Sequence, residues 1–231
     1  MSRMPGIILS LLLLLPVACS AAQDEAWILE HQDCLQQLLQ GSVPGHCPDS
    51  GAMIALKGIL EAESKGGKSM LCDWYVDHDL TPSDIWRLPQ IVYRFDAFTG
   101  LWTDRFQRDP ALLFMDAAVL DTNNKKCISV YVDLYQDSDG YFAEEMKELA
   151  GTFFMDPNSI QQNYDRVKPI LPMALDGVAW SSKYNDLDAL KNIYSELPHS
   201  DFRSVMLSFL RKAMRKRVSA YGYSPFVSIC R

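Results

Sequence analysis

Along most of this chain apolar side chains recur every three to four positions with polar residues between them, the spacing that gives a helix one core-facing side. Over residues 24–40 Trp27, Cys34, Leu35, Leu38 and Leu39 follow that spacing, and Gly41 stands where a helix stop belongs. His31 falls on the same face, where a hydrogen-bonded core histidine is expected. Residues 42–49, rich in Pro and Gly, read as a loop. Ser50 then caps a second helix with Ala52, Ala55, Leu56, Ile59 and Ala62 on one face and Gly66-Gly67 at its end, so the two predict an αα-hairpin.

From Lys68 to Asp109 aromatic residues are dense and Pro82 and Pro89 interrupt any long helix, which predicts short helices and loops. One of these starts at Thr81, with Pro82 in its first turn. Asp109-Pro110 opens a segment whose Leu112, Leu113, Phe114, Met115, Ala117 and Ala118 favour helix. In residues 127–135 Ile128, Val130, Val132 and Leu134 alternate with more polar residues at strand period. A strand there needs a partner for its backbone, so a short β-hairpin near residues 112–135 is the alternative; helical signals on both sides favour helix.

Beyond Asp139 the helical pattern strengthens. Phe142, Met146, Leu149, Ala150 and Phe153 share a face, and Asp156-Pro157 opens a helix carrying Ile160, Tyr164 and Val167 that Pro169 and Pro172 stop. Asn185 caps the helix of Leu187, Leu190, Ile193, Tyr194 and Leu197. The last helix begins near Asp201 with Phe202, Val205, Met206, Phe209, Leu210 and Ala213 as its stripe. The expected fold is mainly α, stacked helical hairpins forming a single domain over residues 23–231. Phe114-Met115-Asp116 returns as Phe154-Met155-Asp156 at a spacing close to that of HEAT-like repeats, which adds a HEAT-like solenoid as a variant.

Residues 1–22 depart from this pattern. Arg3 precedes the apolar run Ile7–Leu15, closed by Pro16 and small residues as far as Ala22, which is the build of a secretory signal peptide and too short to span a bilayer. Two exits stay open. Cleavage before Gln23 releases a soluble exported protein, whereas Pro16-Val17-Ala18-Cys19 resembles a bacterial lipobox, which implies a lipoprotein signal over residues 1–18 and acylation of Cys19.

Export changes how the cysteines read. Cys34, Cys47, Cys72, Cys127 and Cys230 meet an oxidising compartment and are expected to pair as staples, with Cys34–Cys47 the first choice because they flank one loop. No Cys-x-x-Cys spacing occurs, so the thioredoxin-like and common zinc motifs are absent from the sequence. Removing residues 1–22 takes away one charge, Arg3, and moves the formal net charge from −7 to −8, which argues against a nucleic-acid partner.

Candidate chemistry is sparse. Asp77 and Asp79 flank His78 in a segment that suits metal ligation or a base, but flanking carboxylates favour imidazolium, which fits a charged recognition point better. Asp133, Asp137 and Asp139 before Gly140 resemble the middle of a calcium loop, yet Tyr135 and Met146 stand where ligands belong, and an acidic helix cap accounts for the cluster. No hydrolase motif and no cofactor motif is present. Arg211, Lys212, Arg215, Lys216 and Arg217 close the last helix, where cations offset the helix dipole and where an anionic lipid surface or an acidic partner could be met.

The sequence therefore predicts an exported envelope protein, periplasmic or a membrane-anchored lipoprotein, alternatively secreted, that binds another protein without cofactor or metal, with an immunity or inhibitor role as one form. Its contact face is expected at Trp74, Tyr75, Asp77, His78, Asp79, Trp86 and Trp102, in the aromatic stretch that also holds Tyr93 and Phe98. The alternatives are a periplasmic hydrolase whose site is assembled from dispersed Asp, His and Ser residues, and a structural or assembly lipoprotein.

Overall fold

In the computed structural model, residues 29–40, 50–100, 102, 108–180 and 186–221 are described. The expected signal segment with Cys19, Trp27, the predicted loop at 42–49 with Cys47, Asn185 and the C-terminal stretch with Cys230 lie outside the described residues. Those described are helical throughout, joined by turns. In chain order the helices are α1 (29–39), α2 (Gly51–Lys65), α3 (Met70–Asp77), α4 (Pro82–Thr99), α5 (Pro110–Leu120) and α6 (Lys125–Asp137). They are followed by α7 (Gly140–Phe153), α8 (Pro157–Gln162), α9 (Tyr164–Val167), α10 (Leu171–Trp180), α11 (Asp186–Glu196) and α12 (Asp201–Tyr221).

Local chemistry sets several of these boundaries. Ser50 accepts from the Met53 amide and Gly66 closes α2 in the left-handed conformation at φ 70°. Thr81 and Asp84 form a reciprocal capping box with Pro82 at the first helical position. Asp109 and Asp156 each accept amide hydrogens ahead of a proline. Pro89 does not break the chain as expected, since α4 runs through it for 18 residues. The missing N–H leaves the Ile85 carbonyl without its usual donor, and burial of Ile85, Leu88, Ile91, Val92 and Phe95 offsets that loss. Pro172 likewise sits in the first turn of α10 instead of stopping a helix, and the predicted helix over residues 157–167 divides at Asn163 into α8 and α9.

The β-hairpin alternative at residues 112–135 is replaced by the antiparallel pair α5 and α6, joined by a short turn in which Asn124 accepts from the Lys126 amide. The strand-like alternation in α6 arises because Cys127, Ile128, Val130, Tyr131, Val132, Leu134 and Tyr135 are all buried, leaving a narrow polar strip. The HEAT-like variant gains no support: Phe114-Met115-Asp116 lies within α5, while Phe154-Met155-Asp156 forms the turn after α7, so the matching residues mark no structural repeat.

Apart from Asp116, which pairs with Arg108, α5 is apolar around its circumference, and it lies against α2, α3, α4, α6 and α7. A second group forms beyond it, where α10 packs on α7 and α12, and α11 packs on α12 and α7. The two most deeply buried tyrosine hydroxyls are satisfied, Tyr131 donating to the Met146 carbonyl at 3.2 Å and Tyr194 to the Phe154 carbonyl at 3.1 Å, whereas Nε1 of Trp86 is buried without a partner among the described residues. His31 is buried beside Cys34 and Leu35, as its position on the apolar face predicts.

A disulfide joins Cys72 of α3 to Cys127 of α6, both fully buried. Cys34 is also disulfide-bonded, and its expected partner Cys47 lies outside the described residues. The Cys72–Cys127 bridge closes a sequence separation of 55 residues. On loop-closure entropy, replacing both cysteines with alanine is expected to lower stability by about 4 kcal/mol, measured by urea denaturation with the other bridge intact.

Asp156 supplies a second test. Burial pushes its carboxyl up, but hydrogen bonds from the Ser159 side chain and amide, the Asn158 amide and the Thr122 hydroxyl bring it below its ordinary 3.8. A lowered folded pKa means stabilisation present above the unfolded value and lost as pH falls through the folded one. Asp156→Ala is therefore expected to cost about 1 kcal/mol at neutral pH. Parallel denaturation series across acid pH should show that gap from the parent protein closing.

Candidate functional site

The end of α3 is where charged side chains converge on an opening. His78 caps the helix, the Asp79 amide bonds to the Val76 carbonyl at 3.3 Å and the Leu80 amide to the Tyr75 carbonyl at 3.0 Å, a Schellman closure. That closure requires the residue after the cap to be left-handed, and Asp79 takes φ 50°, where glycine would be less strained. Among the described residues, Asp79 is the single non-glycine residue with positive φ.

Asp79 lines a groove of about 550 Å³, together with Tyr75, Val76 and Leu80. The opposite wall is α6, whose Lys125, Ser129 and Asp133 recur at helical spacing and whose Lys126 stands beside them. Asn163, at the α8–α9 junction, and Arg166 of α9 complete the lining. The buried Cys72–Cys127 bridge holds the two main walls at a fixed separation, one turn behind Val76 on one side and next to Lys126 on the other.

Most of the groove's charges are paired. Lys126 donates to Asp77 at 2.6 Å and lies 3.5 Å from Asp73, and Arg166 donates to Asp133 at 2.6 Å. The bond to Asp77, with both neighbouring carboxylates, raises the Lys126 ammonium above its ordinary range. Burial raises the Asp133 carboxyl, opposed by the Arg166 guanidinium. The Tyr75 phenol is pushed far up by burial and then by Asp133, so it stays protonated. Among the described residues, the Lys125 ammonium and the Asp79 carboxylate have no ionic partner, leaving one exposed charge of each sign in the groove.

The expected contact face is thus divided. Tyr75 and Asp79 line the groove, with Asp77 and His78 beside it. His78 stacks on Trp74 at 4.2 Å and its Nδ1 lies 3.0 Å from the Trp74 carbonyl, while the Trp74 indole N–H donates to the Ile54 carbonyl at 2.7 Å. Trp74 thereby belongs to the α2–α3 contact. Trp86 stacks on Phe142 of α7, at 4.6 Å, and Trp102 is buried with its indole N–H on the Arg108 carbonyl at 3.0 Å. Tyr93 is exposed, its phenol pushed up to about 12 by burial and by Asp109.

The lining residues absent from the expected contact face are Val76, Leu80, Lys125, Lys126, Ser129, Asp133, Asn163 and Arg166. The spacing of Lys125, Ser129 and Asp133 was a readable signal of one polar strip on α6, but nothing local placed that strip opposite Asp79. Asp133 and Asp137 lie within α6 and Asp133 is held by Arg166, so these acids form no calcium loop; Asp139 precedes α7 without a side-chain capping bond. The histidines that are described, His31, His78 and His199, sit on separate elements and none lines the groove. No cluster suited to a metal ion occurs among the described residues, and none of their helices is long and apolar enough to cross a membrane.

Gly58 links this end of α3 to the core. A Cβ there would lie 2.5 Å from Cδ1 of Trp74, far inside contact distance. Gly58→Ala gains helix propensity of about 1 kcal/mol, yet it is expected to be destabilising by about 1–3 kcal/mol because the indole must move and abandon Ile54. Thermal unfolding and tryptophan emission would read both effects. No family model matches the chain, and no curated protein or solved structure matches it either.

Proposed function

We propose that this chain is an exported, non-catalytic envelope protein that binds another protein, and that the groove between α3, α6 and α9 is the contact. The carrying observation is Asp79, a carboxylate held in a backbone conformation that costs less with glycine, with its side chain on the groove. The groove pairs an apolar floor, Tyr75 and Leu80, with the unpartnered charges of Lys125 and Asp79. Such a surface suits a polypeptide segment carrying an acidic and a basic side chain around an apolar one, since the two charges fix its direction. The disulfide supports this reading because walls that do not move cost little ordering on binding. The dispersal of His31, His78 and His199 favours binding over hydrolysis. Inhibition or neutralisation of an envelope hydrolase or toxin is one form that such binding takes.

Single charge reversals test the reading. Lys125→Glu and Asp79→Lys are each expected to weaken capture of the partner from envelope extracts by about tenfold or more. Reversal of Lys65, which does not line the groove and sits in an exposed pair with Glu61, should leave capture unchanged. Retention of the same proteins by all three variants would count against the groove as the contact.

A further inference from the structure

The chain carries a formal charge of −7, yet Arg211, Lys212, Arg215, Lys216 and Arg217 crowd one end of α12. The apolar stripe of that helix, Phe202, Met206, Leu210 and Ala213, is buried in the core, so α12 cannot turn an apolar face outward. The neighbouring helix supplies one. Lys216 pairs with Asp176 of α10, and Met173 and Trp180 lie one turn before and after Asp176 on the same face. Both are exposed, Met173 by 54% and Trp180 by 50%. Lys212, one turn before Lys216, and Arg215 continue the patch outward along α12.

Cations beside an exposed indole and thioether are the composition of a surface that rests on anionic headgroups with its apolar side chains at headgroup depth. An acidic protein partner would need the cations alone; the adjoining Met173 and Trp180 favour a bilayer. We propose that the C-terminal half of α12 and the outward face of α10 form a docking surface for an anionic lipid bilayer, separate from the groove. Only the polar face of α12 meets the headgroups, so the contact is peripheral and reversible, and it is weakened by salt.

The test uses the full chain with Cys19→Ser, which removes the residue an acyl anchor would need. Binding is measured by co-sedimentation with phosphatidylglycerol–phosphatidylethanolamine vesicles and with neutral phosphatidylcholine vesicles. The expected result is binding to the first and not the second, lost at high salt, and weakened about a hundredfold when Lys212, Arg215 and Lys216 are replaced by Gln. Trp180→Phe should remove most of the blue shift in tryptophan emission on binding, and Lys65→Gln, in an exposed pair with Glu61 that belongs to neither surface, should leave vesicle binding unchanged. Equal binding to both vesicle types, or undiminished binding by the triple variant with unchanged circular dichroism, would overturn the proposal. Equally tight binding to polyglutamate with no shift in emission would also overturn it, assigning the patch to an acidic polypeptide.

Discussion

An eleven-residue helix that is apolar on nearly every side, broken only by Asp116 in its pair with Arg108, has little surface that water tolerates, and α5 must therefore be largely enclosed. Ala111, Phe114, Met115, Ala117 and Ala118 are fully buried, each demanding a neighbour in a different direction. Five helices meet that demand, and their arrangement around α5 fixes the architecture of residues 50–153. The small alanines let neighbours approach closely, while Phe114 fills the space towards Tyr75, whose ring it meets at 6.5 Å. The contact runs from the central helix directly to the groove floor.

The groove is a by-product of how the outer helices close over α5. α3 and α6 both pack on it, the disulfide ties them to each other, and their polar strips face one opening. The ion pairs there, Lys126 with Asp77 and Arg166 with Asp133, are largely exposed and contribute little to stability, but they restrict which charges remain available to a partner. The second group, α10 to α12, is built on α7 and places its basic end elsewhere on the molecule. The two proposed surfaces thus rest on different packing units, and one can be altered without the other.

Helix identity was legible wherever a cap and an apolar stripe coincided. Ser50, Thr81, Asp109 and Asp156 each start the helix their side chain predicts, because the capping bond is local and needs nothing from the rest of the chain. α4 and α6 were harder for opposite reasons. In α4 Pro89 signals a break that long-range burial overrides, and in α6 burial on nearly every side erases the periodicity that separates helix from strand. Of the candidate site, Tyr75, Asp77, His78 and Asp79 were legible as a cluster contiguous in sequence. Their division into lining, rim and core was not, since the outward direction at each position depends on which helix packs nearby.

By itself the sequence determined that the chain folds as helices, where most of them begin, and that its charge turns basic only near Arg211–Arg217. Those properties are set by hydrogen bonds and charges within a few residues. Tertiary structure alone decided that Cys72 pairs with Cys127, that Trp74 and Trp102 pack inward, and that Asp79 faces Lys125 and Arg166 across a groove. Each of these joins residues far apart in the chain. The spacing of a helix tells which residues share a face, but only the enclosure of α5 sets what each face meets.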